Sequence, residues 1–402
     1  MITSTLAALS LACGQAPVAP IAPTVPVPIA EAPAEATPAT KYLVEKMLEG
    51  TRAGQILECN GIKFYGWVQM GYSAGSTRSS TLPGAPFADR SGEFTLNQAY
   101  FRIEKPIDTE KKEFQLGFRN DYIAPGTDAR FTIMRDLFDK QRFDGRVTPI
   151  DNVTSYMEAF MPNLLGGTSV KVGRIATHCE YETMDGTTTP FLSRSYTFQY
   201  NPFSHMAVLF TSPLGDNLTA SYGVSLGNDN FVGPTNRLNF IGSLRWAPKN
   251  GDTTIAFNTV VTNPKYQPGE AFDHYNVYNV VLTHKLGCNL TYALDSTYSH
   301  ENEVPLARGI GSTHWYGFAQ YLAYDHSKCL QSNLRVELFK DEDGYRTGTS
   351  GLYTSVTYGV TWKPNESVWI RPEARYDYNV NAPFENGERN LFVGAMSVIL
   401  RF

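Results

Sequence analysis

The chain has 402 residues, with 34 Lys and Arg against 39 Asp and Glu, a formal charge of −5 and a mean hydropathy of −0.27. Charged residues make up only 18%, below the roughly 25% of soluble domains, while 13% are aromatic. No apolar run reaches the ~18 residues of a membrane-crossing helix, and the near-balanced charge leaves no basic stripe for nucleic acid. A β-rich chain of half-apolar strands remains, either soluble or closed within a membrane.

Leu6 to Ala12 form a short apolar stretch ending in small residues, so residues 1–16 are read as an export signal cleaved after Ala16. Its charged leading region is missing, and Leu11-Ala12-Cys13 also offers a lipoprotein box, with Ser10 where Leu is preferred. Residues 17–60 follow as a linker, Pro/Ala-rich over 17–40, and a short helical segment in which Tyr42, Leu43, Met47 and Leu48 share a face.

From Gly61 onward apolar and polar residues alternate at period two. In 217–227, Leu218, Ala220, Tyr222, Val224 and Leu226 oppose Asn217, Thr219, Ser221 and Ser225. Strands are predicted near 61–75, 92–105, 112–123, 153–161, 168–177, 204–213, 217–227 and 237–247. Eight more are predicted near 252–262, 275–286, 288–300, 313–325, 329–341, 351–363, 366–379 and 390–402. The gaps take turns: short ones such as SPLGD, PKNG, KLG and SK alternate with long ones at 76–91, 124–152, 178–203, 228–236, 263–274, 301–312, 342–350 and 380–389. An even strand count with this alternation predicts an all-β fold over 61–402. It is an antiparallel up-and-down transmembrane β-barrel of about 16 strands, with short periplasmic turns and long extracellular loops.

The charges obey the same parity. Arg102 and Glu104 oppose Phe101 and Ile103; Arg119 and Asp121 oppose Phe118; Arg335, Glu337 and Asp341 oppose Leu334, Val336 and Leu338. An Arg or Lys facing lipid near the midplane costs about 2–4 kcal/mol, so these faces are expected to point into a wide, hydrated bore. Trp246, Tyr298, Trp315, Trp362, Tyr376 and Tyr378 gather near strand ends, as interfacial girdles do. Pro372 falls mid-strand, where its missing donor predicts a bulge or a water. A soluble four-bladed propeller is the alternative, but it requires a repeat of about 40–50 residues, and none is visible.

The last residues, SVILRF, resemble the C-terminal signature by which outer-membrane barrels are handed to the assembly machinery, with Phe402 at the end. The chain also resembles the putative beta-barrel porin-2 family in four blocks. These are Tyr65-Gly66-Trp67; Val172-Gly173-Arg174 through Glu180-Tyr181-Glu182 and Ser193-Arg194-Ser195-Tyr196; Arg335 through Gly344; and Arg371-Pro372-Glu373-Ala374-Arg375-Tyr376-Asp377. Leu338 replaces an expected Trp, and Cys179 an expected Gly. The resemblance implies a bacterial outer-membrane porin with passive solute passage, and names no substrate.

In a porin the working element is a constriction of wall charges and an inward-folded loop. The candidate pore-lining residues are Arg102, Glu104, Arg119, Asp121, Arg174, Arg335, Glu337, Arg371, Glu373, Arg375 and Asp377. Two long loops could fold in, carrying Arg130, Arg135 and Asp136 in one and His178, Glu180, Glu182 and Arg194 in the other. The competing reading makes the wall pairs structural cross-strand ladders. The seven His residues show no metal-ligand spacing, no cofactor is implied, and Asp341-Glu342-Asp343-Gly344 is read as a solvated turn rather than a calcium loop. Cys288 and Cys329 belong to turns about 10 Å apart, beyond disulfide reach. A passive channel for small hydrophilic solutes or ions is therefore expected, not an enzyme, with membrane lipid and solutes as partners and a homotrimer as its assembly by analogy. A hydrolase barrel using Ser204 and His205, or a non-conducting scaffold or adhesin, stays as the alternative.

Overall fold

Alternating strands leave their backbone polar groups unpaired unless each finds a neighbour, and in hydrocarbon only closure satisfies all of them. The computed structural model of the protein describes residues 43–232, 238–262 and 275–402. The export signal, the Pro/Ala tract, Tyr42, residues 233–237 and the whole of the 263–274 loop lie outside the described residues. Among the described residues sixteen strands form one closed antiparallel sheet. They are β1 (Lys63–Gly75), β2 (Glu93–Lys105), β3 (Gln115–Ile123), β4 (Asp151–Met161), β5 (Thr168–Ala176), β6 (Ser204–Pro213), β7 (Leu218–Ser225) and β8 (Asn239–Trp246). The second half holds β9 (Thr253–Val261), β10 (Asn276–Lys285), β11 (Leu290–Leu306), β12 (Gly309–Ser327), β13 (Leu330–Asp341), β14 (Gly351–Asn365), β15 (Val368–Asn379) and β16 (Asn390–Arg401).

Each strand pairs with its chain neighbours, and β16 closes on β1 from Trp67↔Arg401 to Gly75↔Val393. Phe402 and Gly66 extend this seam by exchanging both backbone bonds, at 3.0 and 2.9 Å. Parity is as the sequence implies. Along β13, Asn333, Arg335, Glu337, Phe339 and Asp341 are buried while Val336 and Leu338 are exposed. Phe392, Met396 and Leu400 show the same outward apolar face on β16.

Four details depart from the predicted pattern. The segment 301–312 is not a loop: β11 and β12 continue through it as a hairpin, Val304↔Gly311 to Leu306↔Gly309, with a register shift at Glu301/Val304. Arg308 at its tip ion-pairs with Asp343. Trp315 belongs to no girdle; it points inward, 1% exposed, against Tyr275 and under the Arg346 guanidinium. Pro372 causes no bulge. The β14–β15 ladder keeps one register from Gly359↔Glu373 to Trp362↔Ile370, and its register shift comes later, between Trp362 and Asn365. Finally, beside the expected helix, α1 (Leu43–Leu48), the linker region contains a second one, α2 (Arg52–Cys59). α2 is started by Thr51, whose hydroxyl accepts from Gly54 N at 3.1 Å.

Three short helices lie in long loops: α3 (Ala129–Thr132), α4 (Lys140–Phe143) and α5 (Tyr196–Tyr200). The loops carrying α3 and α5 fill much of the barrel interior near the long-loop rim, where Tyr196, Tyr275, Trp315, Phe339 and Tyr353 form an aromatic cluster.

Candidate functional site

A loop inside a barrel must find partners for its own N–H and C=O groups, and here charged wall side chains supply them. The β5–β6 loop, residues 177–203, leaves β5 and crosses the bore. His178 Nε2 contacts Gly242 O of β8 at 3.0 Å, and Asp295 of β11 accepts from Tyr181 N at 2.8 Å. Arg335 of β13 donates to Glu182 Oε1 at 2.6 Å and Ser193 O at 3.0 Å. Glu373 of β15 accepts from Leu192 N and Ser193 N at 2.6 and 3.1 Å, and Glu337 accepts from Thr197 N at 3.0 Å. Arg375 donates to Arg194 O at 2.7 Å while holding Asp377 at 2.8 Å; Arg371 donates to Gly186 O and Thr189 O at 2.8 and 2.6 Å. On the far side, Arg102 of β2 reaches Asp185 at 3.4 Å. Such charge-assisted bonds are roughly twice as strong as neutral ones.

Ten of the eleven predicted wall residues thus fall into three groups. Arg335, Glu337, Arg371, Glu373, Arg375 and Asp377 lie beneath the loop, none more than 7% exposed. Arg102 and Asp121 form a cross-strand pair at 2.8 Å, joined by Arg119 at 2.9 Å, which is the ladder arrangement. Arg174 is buried on Asp151 at 2.9 Å and on Thr132 O at 2.6 Å, fixing the β3–β4 loop. Only Glu104, which accepts from Tyr65 OH at 2.8 Å, and Arg119 keep partial exposure.

The two candidate loops divide as well. His178, Glu180, Glu182 and Arg194 are all buried in the bore. Burial lowers His178 from its ordinary value, and burial beside Asp295 holds Glu180 well above the usual carboxylate range. In the β3–β4 loop, Asp128 is the residue that turns inward, held by Asn97 Nδ2 at 3.1 Å and Gln98 Nε2 at 2.9 Å and pushed by burial to about 6. Arg130 instead pairs with Asp89 at 2.7 Å, Arg135 N bonds Asp229 O at 2.8 Å, and Asp136 is exposed.

Parity would also have pointed to Lys171 and Arg245. Both face inward with partial exposure, Lys171 Nζ lying 4.6 Å from the Tyr156 ring. With Glu104 and Arg119 they are partly exposed charged side chains on the inward faces of strands between β2 and β8. Asp341 is no solvated turn residue: fully buried, it accepts from the backbone N–H groups of Tyr345, Arg346 and Thr347. Ser204 and His205 do not face each other. The serine hydroxyl meets Arg174 and Asp229, whereas the imidazole contacts Gly227 O and Thr177. Among the described residues no cluster of His, Cys, Asp and Glu could hold a metal.

The family model for putative beta-barrel porin-2, OmpL-like, matches residues 61–402, the whole barrel. The chain belongs to that family. This porin barrel is also similar to solved structures at identities that speak for the fold alone. The anion-selective porin of Comamonas acidovorans is 9% identical with a TM-score of 0.54, the alignment covering 85% of this chain and 99% of that one. The outer-membrane channel DcaP of Acinetobacter baumannii is 11% identical with a TM-score of 0.55, covering 85% and 97%. OmpT of Vibrio cholerae, in a trimer form, is 11% identical with a TM-score of 0.50, covering 85% and 99%. No curated protein matches the sequence.

Proposed function

We propose that this porin is a passive outer-membrane channel for small hydrophilic solutes, with its short turns in the periplasm and its long loops outside. The observation that carries the reading is the β5–β6 loop tied across the bore while charged side chains beside it stay half-exposed. Solutes pass between the loop and the wall of β2 to β8, lined by Glu104, Arg119, Lys171 and Arg245. Arg335, Arg371, Arg375, Glu337 and Glu373 act on permeation by holding that loop in place.

Phe402 is the residue offered to the assembly machinery, membrane lipid covers the apolar outer face, and a homotrimer is the assembly by analogy with the trimer form of OmpT. Reconstitution into planar bilayers tests the reading. Stepwise ohmic conductance is expected, and its ion preference shifts towards cations when Arg119 and Lys171 are both changed to Gln. A folded barrel that inserts without conducting would overturn it in favour of a scaffold.

A further inference from the structure

On the underside of the crossing loop, towards the short turns, lies a narrow cleft partly open to solvent. Residues 187–191 roof it, and Tyr181, Tyr321, Lys363, Trp369 and Arg371 are among its walls. Several of its donors are unspent. Arg371 is 1% exposed and uses Nη1 on the loop carbonyls and Nε on Ser397, leaving Nη2 without a partner; Trp369 Nε1 and Tyr321 OH are likewise buried and unpartnered. Lys363 Nζ stands 4.2 Å from the Trp369 ring centroid, and the Arg401 guanidinium stands 5.2 Å from the same ring.

The nearby carboxylates are already engaged. Asp325, the acid facing Lys363, accepts from Gln331 at 2.8 Å, and Glu373 is occupied by the loop N–H groups. Asn333 Oδ1 also lines the cleft unpartnered, but an amide can turn to present its NH₂. Buried donors without acceptors cost about 1–3 kcal/mol each. A cationic cleft holding several of them is built for an acceptor-only, negatively charged guest.

We propose that this cleft binds a small oxyanion, a carboxylate or phosphate species, on the periplasmic side of the constriction. The inference rests on the channel reading only for how the anion arrives. Tryptophan fluorescence of the detergent-solubilised barrel, titrated with succinate and separately with inorganic phosphate, tests it. A saturable change with at least one of them is expected, absent with a neutral disaccharide and lost in Trp369→Phe. Lys363→Gln weakens binding roughly tenfold, as loss of one contact to a charged group does, while Lys363→Arg retains it. Heat-modifiable gel mobility confirms that each variant folds.

No saturable response to either anion, or equal binding in folded Lys363→Gln, would overturn the site. Bilayer conductance of the same preparation is read separately. Conductance without anion binding removes the cleft site alone, whereas binding without conductance supports the site and removes the channel reading.

Discussion

Arg335 shows what a wall charge does in this barrel. Its guanidinium and the Glu182 carboxylate are both without exposed surface, so neither can fall back on water if the other is lost. Removing one partner of such a pair typically costs 3–5 kcal/mol, whereas replacing both by apolar side chains costs far less. Arg335→Met is therefore expected to lower the thermal transition clearly, seen as earlier loss of heat-modifiable gel mobility, with Arg335→Met/Glu182→Met recovering most of it. A single variant that melts like the parent would show the clamp to be idle. Glu180 gives a pH signature at the same scale. Burial and Asp295 raise its value in the fold well above the unfolded 4.5, so its stabilising contribution is full below the unfolded value and lost as pH rises through the folded one. The parent should thus lose stability as pH rises above the unfolded 4.5 more than Glu180→Gln does, and parallel pH profiles of the melting temperature would refute the assignment. Alternation in the sequence did tell that Arg335, Arg371 and Arg375 point inward. It carried no information on what meets them there, because the 177–203 loop that covers them has no period of its own.

The β5–β6 loop is the element that converts a wide cylinder into a narrow one. Its length and its acidic residues were visible in the sequence, but the β3–β4 loop had equal claim, with more charges. The choice is made by donors and acceptors on the opposite wall: β13 and β15 offer guanidinium and carboxylate groups at the heights where residues 182, 192, 193 and 197 arrive. Replacing 184–190 by a Gly-Ser bridge is expected to raise single-channel conductance severalfold and to lower the melting temperature, since Arg371 then loses two carbonyl acceptors. Conductance unchanged after that replacement would mean that the passage is limited elsewhere. The strands themselves were legible because period two is sustained over each of them. Legibility failed at β11 and β12, where Pro305, Gly309 and Gly311 break the pattern although the register set lower in the hairpin carries on past them. It failed also at α2, whose capping threonine sits in a stretch read as linker.

At the scale of the whole molecule the decisive property is that the sheet closes on itself. Every strand has two neighbours, and the join that completes the circuit is made last in chain order, between β1 and β16. Phe402 serves this seam twice over: its backbone exchanges two bonds with Gly66, and its ring lies 5.9 Å from Phe101 on the outer face. Gly66 is required there for space, because a Cβ would come within 2.2 Å of Tyr100 O and 2.9 Å of the Phe402 ring. These facts separate two roles that the terminal aromatic can play. If Phe402 matters mainly as the residue presented to the assembly machinery, Phe402→Ala refolds in detergent much as the parent does but accumulates poorly as folded barrel in cells. Gly66→Val, which drives a side chain into the seam itself, should fail in both settings. Heat-modifiable mobility, measured on refolded protein and on isolated membranes, distinguishes the cases. Phe402→Ala that assembles normally in cells would remove the recognition role, and one that fails to refold in detergent would place its contribution in closure of the sheet.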